Sequence, residues 1–322
     1  MKLIITIDTE EDNWGDYRPT GATLENIKKI PVLQQLFDDY HVTPTYLITY
    51  AVAADEPSVG ILKPILDQDR CEIGTHCHPW NTPPFDPSHE KSSRRNSMLC
   101  NLPFDVQFSK INHLHGTIRK NFGIEPTSFR SGRWGYSEDV ARCLYKLGYK
   151  VDTSILPYID WSYEEGPNFS RVSPKPYRCF PETTFKESVN GPLVEIPATI
   201  GYLQQNFELC NFFYQRFLQQ PLCRLRLAGI FHQLGLLNNI WLSPEPCTGK
   251  EMIQLARRMM KKRYPFINMF FHSTALKAGL SHYVKTKEEE QAFLRRIKEF
   301  LSFAQGEGIE SVKLSQAAEQ IE

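Results

Sequence analysis

The chain has 322 residues, of which 41% are apolar, 12% aromatic and 23% charged, and its 37 basic and 37 acidic side chains cancel to a formal net charge of zero. That length and composition are globular and exclude a disulfide-stapled mini-protein, a disordered tail and a fibrous repeat. A zero balance gives no electrostatic footprint for a polyanion, so nucleic acid is not expected as the main partner.

The first eight residues, Met1 to Asp8, read as a β-rich run that reaches a carboxylate at once, with no signal-peptide core and no cleavage site. The chain is therefore expected to start here, in the cytoplasm. A helix follows over Pro31–Tyr40, with proline at its first position, then a strand at Pro44–Tyr50, a helix near 59–68 and a strand at Cys71–Thr75. A proline-rich stretch runs from about 77 to 104. Beyond it the pattern resumes with an amphipathic helix near 105–121, a strand at Thr127–Arg130, a helix over 137–147, and strands at Lys150–Ser154, Val194–Ile196 and Phe266–Phe271. Strands alternating with helices mean a parallel sheet, and about seven such repeats favour a distorted (β/α)7-like barrel over an open six-stranded sheet. No linker cuts the chain, so 1–322 reads as one domain. Two segments interrupt the pattern: an inserted loop at 77–104 and a helical elaboration at about 201–262. No run approaches the roughly 18 apolar residues of a membrane span, although the elaboration leaves peripheral contact at the inner face of a membrane open. The eight cysteines lack any CxxC pair and read as reduced thiols.

Ligands of parallel α/β sheets bind at the carboxyl ends of the strands. Here those ends are acidic and rich in histidine: Asp8-Thr9-Glu10, His76-Cys77-His78, Arg130-Ser131-Gly132 and His272-Ser273. Asp8 and Glu10, two apart on extended chain, share one face with backbones about 7 Å apart. His76 and His78 have the same spacing and can converge on one divalent ion. Taken separately, an acidic loop and two incidental histidines would explain each pair. Taken together, Glu10, His76 and His78 form a facial ligand set with open positions, the layout of a catalytic metal. A buried Arg130 needs a carboxylate, and Asp8 is the available one.

The ordered set Asp8/Glu10, His76/His78, Arg130, Asp152/Asp160 and His272 resembles the NodB-type polysaccharide deacetylases, metal-dependent carbohydrate esterases on a distorted barrel. The Glu72–His76, Phe129–Gly132 and Phe271–Ser273 segments carry the likeness over roughly residues 1–315. The HxHPW and late FHS segments resemble a subgroup associated with surface-polysaccharide biosynthesis. Two features depart from the family pattern: Thr9 separates the paired acids, and Trp80 stands where the second histidine is usual, leaving His78 to serve.

The resemblance implies hydrolysis of the N-acetyl group of a sugar, oligosaccharide or lipid-linked glycan, with a divalent ion, zinc in the first place, on Glu10, His76 and His78. It implies Asp8, oriented by Arg130, as base; His272 as the acid that protonates the departing amine; and Asp152 or Asp160 as the carboxylate beside His272. Trp80, Trp134 and Tyr136 are expected to offer flat surfaces to sugar rings, the alternative being core aromatics. Two other functions fit less well: a catalytically silent glycan-binding module, and a metal-independent glycosidase using Asp8 with Glu195.

Overall fold

A computed structural model describes residues 1–85 and 94–321. Its strands are β1 (Lys2–Thr9), β2 (Thr45–Ile48), β3 (Glu72–Cys77), β4 (Ser128–Ser131), β5 (Val151–Asp152), β6 (Tyr177–Cys179), β7 (Leu193–Glu195), β8 (Ile200–Tyr202), β9 (Asn239–Trp241) and β10 (Phe266–His272). The helices are α1 (Ile30–Asp39), α2 (Tyr50–Ala54), α3 (Glu56–Asp67), α4 (Phe104–Phe122), α5 (Glu138–Lys146), α6 (Phe207–Leu218), α7 (Leu227–Gln233), α8 (Gly249–Lys261), α9 (Lys287–Gly306) and α10 (Leu314–Ala318). An 8-stranded sheet runs in the order β10-β1-β2-β3-β4-β5-β7-β6, parallel except for the edge strand β6. This is the distorted barrel the repeats suggest. Between β7 and β10 the ladder is replaced by single bonds: the Thr199 amide donates to the Asn268 carbonyl at 3.1 Å and the Phe270 amide to the Leu242 carbonyl at 3.1 Å. The inserted loop at 77–104 lies partly outside the described residues. The elaboration at 201–262 consists of the hairpin β8–β9, also hydrogen-bonded as a pair, with α6, α7 and α8.

Strand periodicity builds the interior in layers. On β1, Leu3, Ile5 and Ile7 face outward into the main core under the helices, while Ile4 faces inward. Ile4, Val151, Val194 and Phe266 form the bottom layer, closed by Leu314, Ala317 and Ala318 of α10. Above it lies a polar layer, in which the Thr6 hydroxyl donates to Asn268 Oδ1 at 2.9 Å and Asn268 Nδ2 donates to Thr153 Oγ1 at 2.9 Å. Asp8 comes next on the same face, in register with His272 of β10. Two residues of side-chain alternation therefore lift the chain from an apolar plug to a polar layer, and two more to a carboxylate at the open end.

Candidate active site

Arg130 rises through the polar layer without solvent exposure, and its donors are used in full view of their partners: Nε to the Thr153 carbonyl at 3.0 Å, Nη2 to Thr6 Oγ1 at 2.7 Å, and Nη1 to Asp8 Oδ1 at 2.6 Å. A trapped guanidinium so placed needs one counter-charge, and Asp8 is it. Burial on its own would raise the Asp8 carboxyl, but Arg130, with His76 and His272 nearby, holds it below the ordinary value. The free oxygen, Oδ2, lies 3.9 Å from His76 Nε2 and 3.8 Å from His272 Nε2. Asp8 is thus ionised and points one lone-pair oxygen into the cleft.

Glu10, His76 and His78 are all buried, and one ligand atom from each lies within 4.8 Å of the others. His76 Nε2 and His78 Nε2 are 3.0 Å apart and stand 3.6 and 3.3 Å from Glu10 Oε2. The far side of each imidazole is engaged. His76 Nδ1 lies 3.1 Å from the Arg130 carbonyl, and His78 Nδ1 lies 2.9 Å from Glu11 Oε1. Partners of that kind hold Nδ1 protonated and turn the Nε2 lone pair inward. Both Glu10 oxygens are buried without a hydrogen-bond partner. Desolvation would lower the His78 imidazole, yet Glu11 and Glu10 outweigh it and push its pKa up to about 9, so a cation taking the Nε2 lone pair would displace a proton. Two nitrogens and an orphaned carboxylate converging on one point call for positive charge, and the donor set fits a divalent cation. Gly132 is needed here, because a Cβ at that position would come within 2.5 Å of His78 Cδ2.

Glu11 was not among the expected site residues. Besides His78 it accepts from Trp80 Nε1 at 3.1 Å and from the Thr49 hydroxyl at 3.2 Å. Burial would raise its carboxyl, but the His78 charge and the hydrogen bonds from His78 and Trp80 together outweigh it and bring it down to about 2. Trp80 stacks on His78 with ring centroids 4.0 Å apart. Its expected place against a sugar is therefore corrected: it lies behind His78, buried, and braces that ring directly and through Glu11. Glu11→Gln is expected to weaken any divalent-cation binding at this ligand set about 10- to 100-fold, the usual loss when an outer partner of a ligating histidine is removed, as measured by competition titration. Unchanged affinity would reduce Glu11 to packing.

His272 lies across the cleft. Its Nδ1 sits 3.0 Å from Glu245 Oε1, and its ring is stacked between Trp14 and Tyr283, with centroids 5.8 and 5.7 Å away. Desolvation would lower this imidazole, but Glu245, then Glu10 and Asp8, push it up to about 10. The carboxylate expected beside it was Asp152 or Asp160, and both are corrected. Asp152 is in register with Phe129, so it faces away from the side that Arg130 takes, and it accepts from the Ser154 amide and hydroxyl at 2.9 and 2.7 Å. Beside it on β7, in register, is buried Glu195. Burial and the charge of Asp152 raise the Glu195 carboxyl well above its ordinary value. The glycosidase pairing of Asp8 with Glu195 fails on the same ground, since Glu195 lies outside the cleft. Asp160 accepts from the Ser162 amide at 2.9 Å and borders a separate groove. Glu245 carried one sequence signal, its position between Pro244 and Pro246, but nothing local links it to a histidine 27 residues away.

These groups open into a cleft of about 390 Å³ walled by aromatic rings, among them Trp14, Tyr17, Trp134, Trp161 and Trp241. Trp134 is the one expected stacking residue found there, with the Arg130 guanidinium 4.9 Å from its ring centroid. Tyr136 is corrected: it is 1% exposed, and its hydroxyl pairs with Thr184 Oγ1 at 2.9 Å. Trp14, Trp161 and Trp241 went unrecognised because each comes from an irregular segment or the added hairpin.

No family model matches the chain, and no curated protein matches it in sequence. Solved structures do. A protein from Mycobacterium smegmatis, provisionally designated a polysaccharide deacetylase, aligns with a TM-score of 0.56 at 14% identity over 99% of this chain and 90% of that one. A provisionally designated glycoside hydrolase/deacetylase from Parabacteroides distasonis gives 0.59 at 12% identity, over 99% and 70% of the two chains. The 4-alpha-glucanotransferase from Thermococcus litoralis gives 0.52 at 10% identity, with 40% of its own length covered. Identities this low speak for the fold and leave the chemistry to the residues in the cleft. This chain shares the fold of these three proteins.

Proposed function

We propose that the chain is a divalent-metal-dependent hydrolase that removes N-acetyl groups from a sugar or glycan. The observation that carries this reading is the meeting of three elements in one aromatic cleft: the Glu10/His76/His78 ligand set, the Arg130-held Asp8 carboxylate and the Glu245-held His272. Glu10, His76 and His78 would hold a divalent cation, zinc by the imidazole and carboxylate donors, which would supply Lewis acidity toward the acetyl carbonyl and a more acidic water. Asp8 Oδ2 takes the proton of the attacking water as its oxygen bonds the acyl carbon. His272, charged at neutral pH, delivers its Nε2 proton to the nitrogen as the C–N bond breaks, since an amine leaves poorly without one. Acetate and a free amino sugar result. The cleft's indole walls suit the apolar faces of sugar rings. Likeness of the HxHPW and FHS segments is the support for a setting in surface-polysaccharide biosynthesis.

The test pairs metal analysis of the purified protein with acetate release from N-acetylglucosamine oligosaccharides. Zinc near one equivalent and acetate release abolished by chelation are expected. His76→Ala and His78→Ala should each lose both. Full metal occupancy in His78→Ala but not in His76→Ala would overturn the ligand set, and acetate release indifferent to chelation would overturn the metal-dependent reading.

A further inference from the structure

No helix among the described residues is long and apolar enough to cross a membrane. One segment nevertheless concentrates exposed apolar surface. Of the fourteen large apolar side chains exposed among the described residues, eight fall between 209 and 236, including Phe212 at 64%, Leu225 at 59% and Leu234 at 65%. Scattered exposed leucines need no explanation, but a cluster on one projection does.

The projection is α6, a 3-10 turn at Leu222–Leu225, and α7 folded back on α6, with the Phe217 and Phe231 rings 5.0 Å apart between them. Its inner side is tied down. Gln215 Nε2 donates to the Tyr158 carbonyl at 2.6 Å, Asn211 Nδ2 to the Ser170 carbonyl at 2.7 Å, and Gln204 Nε2 to the Gly235 carbonyl at 3.0 Å. The apolar outer side is therefore held in place and does not come from a collapsed or unfolded turn. Charge on the segment is one-sided: Arg216, Arg224 and Arg226 are exposed, against the single acid Glu208. Arg216 makes a hydrogen bond to the Gln219 side chain at 3.4 Å, and no carboxylate lies within ion-pair distance of the three arginines among the described residues.

We infer that the α6–α7 hairpin docks on an anionic lipid surface. Apolar side chains flanked by arginines are the composition of an interfacial anchor, in which the rings and leucines enter the headgroup boundary and the guanidinium groups meet lipid phosphates. Charge decides against a second copy of the chain, because a two-fold contact would set this arginine-rich face against itself with one glutamate on each side. The loop that brings Trp161 and Glu164 to the cleft also brings Tyr158 and Asp160 to the groove beneath α6, so cleft and hairpin share one support. The inference is independent of the deacetylase reading, and its test needs no turnover.

The full chain should co-sediment with phosphatidylcholine vesicles containing about a third phosphatidylglycerol, far less with pure phosphatidylcholine, and progressively less as salt rises. Changing Arg216, Arg224 and Arg226 together to Gln should weaken partitioning about 100-fold. Phe212→Ser with Leu234→Ser should weaken it at least about tenfold, since interfacial binding scales with buried apolar area. Circular dichroism would confirm that the variants fold, and the salt dependence of the unaltered protein needs no variant. No binding to anionic vesicles, equal binding to neutral ones, or a dimer in sedimentation velocity that Phe212→Ser dissolves would each overturn the inference.

Discussion

Asp8→Asn should lower the rate of acetate release by roughly a thousandfold while leaving the metal in place, within the range lost when a general base is removed. Asparagine keeps the size of the side chain and an oxygen for Arg130 Nη1, but it neither takes a proton nor carries charge. The variant also strips an unexposed guanidinium of its counter-ion. Removing one partner of a buried pair typically destabilises by about 3–5 kcal/mol, so a lower melting temperature is expected alongside the lost activity. Assays well below that temperature separate the two effects. Retained metal with lost turnover supports Asp8 as base. Lost metal would exchange the roles of Asp8 and Glu10, which lie on the same face two residues apart.

The second large effect concerns Glu245. A group that protonates an amine must itself be charged, so the rate falls as pH rises through the His272 pKa. Glu245, together with Glu10 and Asp8, outweighs the desolvation of that ring, and His272 is pushed up to about 10. Glu245→Gln removes the raising charge and keeps a hydrogen-bond acceptor for Nδ1. The His272 pKa then moves toward its free value of about 6.5, and the alkaline limb of the rate profile moves to lower pH by at least about one unit. A residue that merely packed against His272 would lower the rate at every pH without moving the limb. His272→Ala should reduce kcat far more for an acetamide than for an activated acetate ester, whose leaving group needs little protonation. Equal loss on both substrates would make His272 a positioning residue.

Local chemistry was enough to read the barrel and half of its cleft. Strand alternation is a property of the covalent chain, so the inward face of β1 and the convergence of Asp8 with Glu10 and of His76 with His78 follow from spacing alone. The need of a buried arginine for a carboxylate linked Arg130 to Asp8 in the same way. Alternation states which face a residue takes but leaves open which neighbour the register sets beside it. On the outer face, register set Asp152 beside Glu195, and chain closure through β8 and β9 carried Glu245 to His272. Trp80 and Tyr136 are aromatic near the site in sequence, yet packing placed one behind His78 and the other against Thr184. The walls of the cleft and the bare face of α6–α7 were likewise decided in three dimensions, because burial is set by contacts between distant segments, on which local composition is silent.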